Sequence, residues 1–352
     1  MTIDWSTVGN DKGCWTLHED GQITWQADKT NPLPGDMVAW IKKGNSVLTP
    51  AVEIVDHGEI DDTHIQHIKD NAEKWIESHI QDVLAPLFRL KDKTENKLEG
   101  AAQNIGDQVF DNLGVVHRSE IEHYVPDLTP EYRATLRQNK IKMGPILVFM
   151  YELVKPAAIN IRALLWGLWN GKSLPVERPA DGRVSVMVDP KAVDKHYLRS
   201  IGYPVFGSLA IRIDMLDRVV TDIYDSSKDF KFQAQHKYME WLGCGEDDLY
   251  AVLQSMGFRR LKEEKEQEKA ENNVSLDENA DKKDDLAVFL LKKGKISDRP
   301  RPNNSKKIQK TDNKRKKPKK NQEKSAKSYH FEAENEELDE NSPFAILKQL
   351  QK

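Results

Sequence analysis

The chain has 352 residues, 31% of them charged and 38% hydrophobic, with a formal net charge of -4. That length admits two domains, but at this charge content the apolar residues must be concentrated in part of the chain. Its two cysteines cannot build a four-thiolate zinc site or the disulfide framework of a small secreted scaffold, so a reducing cytoplasm is expected.

The first residues, MTIDWSTVGNDKG, lack a basic start followed by an apolar stretch, so no secretory signal is expected. Residues 14–54 alternate like short strands. Asp20-Gly21 between two half-apolar runs predicts one hairpin, and Gly44-Asn45 between MVAWIKK and SVLTPAVEIV predicts a second. Residues 1–58 are therefore read as a small β unit.

From Asp61 the period changes. Ile65, Ile68, Ala72, Trp75, Ile76, Ile80, Val83, Leu84, Leu87 and Phe88 fall mostly at three- and four-residue steps, one face of a long helix. Asp61, Asp62 and Thr63 supply its N-cap, and Pro86 is expected to bend its last turn. LEGAAQNIGDQVFDNLGVV reads as another helix, closed by Gly114, and Thr129-Pro130-Glu131 opens a helix through Arg137.

The stretch Lys140–Trp169 organises the rest. Between Ile146 and Val154 its only charge is Glu152, while Lys155 and Arg162 interrupt it before the roughly 18 to 20 apolar residues that a membrane span needs. The expectation is two short buried helices at an angle, the second restarting at Pro156.

Residues 170–195 are loop-like, with SVMVDP as a short strand. A turn around Gly202 to Pro204 precedes a helix from about Leu209, and WLGCGEDDLYAVLQSMGFRRL reads as a helix–turn–helix unit. Residues 59–260 are accordingly one helical domain. Residues 261–352 read as a disordered charged tail. It holds the island DLAVFLLKK (a strand or a docking motif), a basic run at 292–327, an acidic patch from Glu332 to Glu340 and an amphipathic end at 342–352. The fold class expected is mainly α: a helical core, a small N-terminal β unit and a long disordered tail.

Few motifs carry chemistry. NGKSLP at Asn170 to Pro175 resembles a phosphate-cradling loop, but it is one residue short from Gly167, follows a helix and runs into Pro175. No nucleotide hydrolysis, cofactor or small-molecule substrate is expected. His64, His67 and His79 share a helix without a third ligand and are read as solvated rather than metal-binding. Cys244, between two glycines, is read as a small packed residue.

The basic run is the stronger signal. From Lys292 to Lys327 sixteen Lys or Arg face three acids, +13, which leaves about -17 for the remainder. Lysines near phosphates release condensed counterions, so such a run binds nucleic acid without sequence preference. Lys306, Lys307, Lys310, Lys314, Arg315, Lys316, Lys317, Lys319 and Lys320 are its densest part, and Tyr329, His330 and Phe331 beyond it could stack on bases. The bland reading is a solvated or partner-docking tail. Within the folded part, Lys155, Arg162, Arg199 and Arg212 are cations in apolar segments, either ligands or ion-paired core residues with equal weight.

WIESHIQDVLAPLFRL, LEGAAQNIGDQVFDNLGVVHR, YRATLRQNKIKMGPILVFMYELVKPA, GYPVFGSLAIRIDMLDRV and LGCGEDDLYAVLQSMGFR occur in this order. Together with HEDGQITW, WIKKGNSVLTPAVEI and the ending NSPFAILKQL they resemble the C-terminal, non-motor half of the α-proteobacterial helicases that are similar to the mitochondrial degradosome RNA helicase. In that family two RecA-like domains with Walker motifs and a DExH box do the ATP-driven work, and none of these motifs is present here. The resemblance implies a nucleic-acid-binding accessory region, RNA more than DNA, standing either as a separate gene product with a separate motor chain as a candidate partner or as a truncated one. The alternative is a protein–protein module in which SPFAILKQL and DLAVFLLKK are docking peptides.

Overall fold

A computed structural model describes residues 5–9, 13–31, 33, 35–55, 61–261 and 286–291. The alternation near the N-terminus folds into an antiparallel meander of β1 (Cys14–Leu17), β2 (Gln22–Gln26), β3 (Asp36–Ser46) and β4 (Thr49–Ile54), in that spatial order. Asp20 and Gly21 make its first turn: the Asp20 carboxylate accepts the Gln22 backbone N–H at 3.0 Å, and Gly21 takes φ +89°. The second turn lies at Val47-Leu48 instead of Gly44-Asn45. β3 runs through both predicted turn residues with an irregular register between Lys42 and Ser46, and at Gly44 a side chain would strike the Thr49 carbonyl. That glycine serves a close strand approach, not a turn.

Helix α1 (Asp62–Val83) buries Ile68, Ala72, Ile76 and Ile80 and packs on β4. A new short helix, α2 (Ala85–Arg89), starts at the turn that Pro86 imposes. After α3 (Lys93–Asn96), α4 (Gly100–Asp111) buries Ala101, Ala102, Ile105 and Val109. Gly114, at φ +96°, closes it by donating its N–H to the Val109 carbonyl at 2.7 Å.

The central stretch departs most from expectation. β5 (Val115–His117) is followed by α5 (Pro130–Gln138), capped by Thr129, then by β6 (Ile141–Met143) and β7 (Leu147–Met150). The three strands form an antiparallel sheet with β7 in the middle. The segment read as the first of two helices is therefore a strand. Val116, Val148 and Met150 join the core that holds α1 and the meander, whereas Val115, Leu147 and Phe149 join a second core on the other face. A strand buried on both faces shows no polar alternation, and its apolar run looks like a buried helix. The second helix is present: α6 (Pro156–Trp169) starts at Pro156 and is buried nearly all round.

β8 (Ser185–Met187), α7 (Lys195–Ser200), β9 (Val205–Phe206) and β10 (Leu209–Ile211) follow, with β10 between β8 and β9. Helix α8 (Ile213–Ser226) begins only after β10, whose three residues are all buried. The last lobe comprises β11 (Lys231–Gln233), α9 (His236–Leu242), α10 (Glu246–Ser255), β12 (Arg259–Arg260) and β13 (Val288–Leu290). Gly243, at φ +62°, ends α9, and Glu246, Asp247 and Asp248 occupy the positive first turn of α10.

β13 lies between β11 and β12. The island DLAVFLLKK thus supplies a core strand, with Phe289 fully buried, from within the range 261–352 assigned to the tail. Of the described residues 47% are helical and 21% are in strands, and the strands form four small antiparallel sheets. The expectation of a mainly α chain with β structure confined to its N-terminus is corrected to α+β. The basic run 292–327, the acidic patch and the terminal segment lie outside the described residues. Among the described residues no helix is long and apolar enough to cross a membrane.

Candidate nucleic-acid interface

The four cations singled out in the folded part have different fates. Arg162 is 1% exposed. Its guanidinium donates to the carbonyls of Ala158 at 3.0 Å, Leu113 at 3.0 Å, Ser200 at 2.7 Å and Ile201 at 3.2 Å, and also to that of Leu153. Burial pushes it down to about 9, which still leaves a cation at neutral pH. A planar fork of five donors can collect the carbonyls left over where α4 ends, where the turn before α6 ends and where α7 ends. Arg162 ties these three element ends together, with no face left for a phosphate.

Arg199 pairs with Glu120 at 2.5 Å, and Arg212 holds both Asp214 oxygens at 2.7 and 3.0 Å. Those cations are already neutralised by carboxylates, so a polyanion would have to displace them. Lys155 is exposed at the N-cap of α6. Lys306, Lys307, Lys310, Lys314, Arg315, Lys316, Lys317, Lys319 and Lys320, with Tyr329, His330 and Phe331, lie outside the described residues.

The remaining motifs take structural positions. NGKSLP is the turn that closes α6, where the Lys172 N–H donates to the Gly167 carbonyl at 2.9 Å. Val176 folds back so closely on Gly167 that a side chain there would collide with it and press on Leu174. His64 contacts the Trp5 carbonyl at 3.1 Å, His67 lies against Asn71, and His79 stacks on Trp75 at 5.2 Å between centroids. Among the described residues no group of three or more His, Cys, Asp or Glu could hold a metal ion. The Cys244 thiol is pushed up to about 11 by burial and the neighbouring Asp248, so it is not a thiolate nucleophile. It borders an open groove of about 900 Å³ with Arg178, Arg183, Met187, Glu240 and Asp248. Arg178 there is already bound to Glu19 and Asp181, at 2.5 and 2.8 Å.

Unengaged positive charge in the last lobe sits on the outer face of the β11–β13–β12 sheet. Lys231 and Arg259 both pair in register with Leu290, so the three side chains form one rung across the sheet. At the usual strand spacing the two cations are about 10 Å apart at their Cα atoms. The opposite face buries Phe232 and Phe289, stacked at 5.7 Å, against α10 and Phe258. Lys228, Lys231 and Arg259 are exposed, and among the described residues they make no ion pair.

The turn leading into β11 is unusual. Lys228 and Lys231 exchange backbone hydrogen bonds of 2.9 and 2.8 Å around a two-residue tip, Asp229-Phe230, with both tip residues at positive φ (49° and 63°). This conformation favours Asn-Gly or Asp-Gly. A phenylalanine in the second place costs about 1–2 kcal/mol relative to glycine. Phe230 is nevertheless 45% exposed, and its carbonyl anchors the Leu291 N–H at 2.8 Å. Sequence reasoning missed this group because Asp-Phe is not a turn signal. The one available clue was the local pattern of a single aromatic between two lysines, Lys228-Asp229-Phe230-Lys231.

No family model, curated protein or solved structure matches the chain.

Proposed function

We propose that the chain is a nucleic-acid-binding accessory module, with RNA as the first candidate ligand, working beside a helicase motor that it does not itself contain. The observation that carries this reading is charge. The run from 292 to 327 concentrates +13, and its first residue comes two positions after β13 ends at Leu290. Counterions released from phosphates by such a run supply affinity without sequence readout. The sequence blocks that resemble the non-motor half of the degradosome-type helicases support the same reading. The two free cysteines support a reducing, cytoplasmic setting. The rival reading, a protein-docking module, loses one of its two peptides, since DLAVFLLKK is occupied as a strand inside the fold.

The test is direct. The full chain and a variant with Lys306, Lys307, Lys310, Lys314, Arg315, Lys316, Lys317, Lys319 and Lys320 changed to Gln are titrated with a labelled single-stranded RNA homopolymer. The reading expects binding by the first and a loss of at least tenfold in the second. Equal binding by both, or none by either, rules it out; a protein partner retained after nuclease treatment favours the docking module.

A further inference from the structure

We infer that the Lys228–Lys231 turn and the adjoining face of the β11–β13–β12 sheet form a single-strand-specific contact, in which Phe230 stacks on an unpaired base. The inference rests on the proposed nucleic-acid function and adds what the basic run cannot supply, discrimination of single strands from duplexes. Three independent features converge on it. First, an aromatic ring is 45% exposed at the tip of a turn whose backbone disfavours it, with φ at +63°. Backbone strain of this kind persists where the surrounding structure over-determines it, and it clusters at ligand contacts. Here the hydrogen bonds of the Lys228–Lys231 pair, with the Phe230 carbonyl bound to Leu291, fix the tip.

Second, in the sequence Lys228-Asp229-Phe230-Lys231 the tip pair lies between two lysines, with Asp229 as its one acid, and from Lys231 a rung runs across Leu290 to Arg259. None of these cations has a carboxylate partner among the described residues, whereas Arg199, Arg212 and Lys237 do. Third, in the sequence the basic run begins at Lys292, two residues after the central strand ends at Leu290, so the two are close along the chain. An exposed ring at a turn tip, beside a sheet face that carries cations, offers what unpaired bases need: each base presents a π-face to the aromatic, and the backbone phosphates can reach the lysines and Arg259. A duplex keeps its bases stacked and inaccessible, and would meet only the cations.

The full chain, Phe230→Gly and Phe230→Trp are compared in binding to a labelled single-stranded poly(U) 20-mer and to a duplex RNA of the same length. Glycine suits the turn better than phenylalanine, so Phe230→Gly should unfold at the same temperature as the parent or higher, which separates binding from folding. The expected result is a loss of about fivefold or more for the single strand in Phe230→Gly, duplex binding within twofold of the parent, and single-strand affinity restored in Phe230→Trp. Unchanged single-strand affinity in Phe230→Gly, or an equal loss for both ligands, overturns the inference while leaving the basic-run reading standing. A parent chain that binds neither ligand overturns both.

Discussion

Two three-stranded antiparallel sheets of nearly equal size are put to opposite uses. The β5–β7–β6 sheet is enclosed: β7 is buried at all four residues, with Val148 and Met150 facing one core and Leu147 and Phe149 the other. Among the described residues the β11–β13–β12 sheet is packed on one face only. Phe232 and Phe289 are buried there, while Lys231 and Arg259 stand in solvent. A sheet covered on both sides holds the fold together and offers neither face to a ligand. One with a free face carries charge at little cost, because exposed cations stay hydrated.

The largest break in this comparison is a charge placed in the enclosed sheet. Val148→Asp buries an unpaired carboxylate between the two cores and should remove more than about 4 kcal/mol, seen as loss of the cooperative unfolding transition. Next comes Arg162, the tie beside that sheet. Arg162→Met leaves several carbonyls without donors and should cost about 3–5 kcal/mol, read as a shift in the urea midpoint. The open sheet should behave in the opposite way: Lys231→Glu with Arg259→Glu should change stability by no more than about 0.5 kcal/mol, yet weaken RNA binding severalfold in the same preparation. Equal damage to stability from both pairs of experiments would erase the distinction.

The smallest expected effect is one of pH. Burial, joined at His117 by the Arg199 cation, holds the imidazoles of His79 and His117 below their usual 6.5. In the window below 6.5 the unfolded chain therefore binds more protons than the folded one, and stability falls as pH falls through it. His117 ends β5, so the enclosed sheet bears part of this loss. The urea midpoint should drop between pH 7 and 5.5, and by less in the His79→Gln, His117→Gln double variant.

What could be read from the chain divides along the same line. One-sided elements were legible: α1 repeats Ile68, Ala72, Ile76 and Ile80 on one face, and the Asp20-Gly21 turn announces the first hairpin. The two-sided strand β7 was not, because burial on both faces erases the period that separates strand from helix. β10, with Leu209, Ala210 and Ile211 all buried, was lost for the same reason. The pairing of β13 with β11 and β12 joins segments far apart in sequence, which no local pattern encodes. In the site, the positions of positive charge were legible but their engagement was not. Arg162 and Lys231 are both cations next to apolar residues in the sequence; one is sealed among carbonyls, and the other is exposed with no ion pair among the described residues.

The central claim, a polyanion held by the cationic segment that leaves β13, is tested most directly by salt. The affinity of the full chain for single-stranded RNA is measured from about 50 to 200 mM monovalent salt, with and without residues 292–327. Each neutralised phosphate contributes about -0.7 to the slope of log K against log salt on a single strand. The account predicts a steep negative slope for the intact chain and the loss of most of that slope and affinity on deletion. Salt-insensitive binding, or a slope untouched by the deletion, would contradict it.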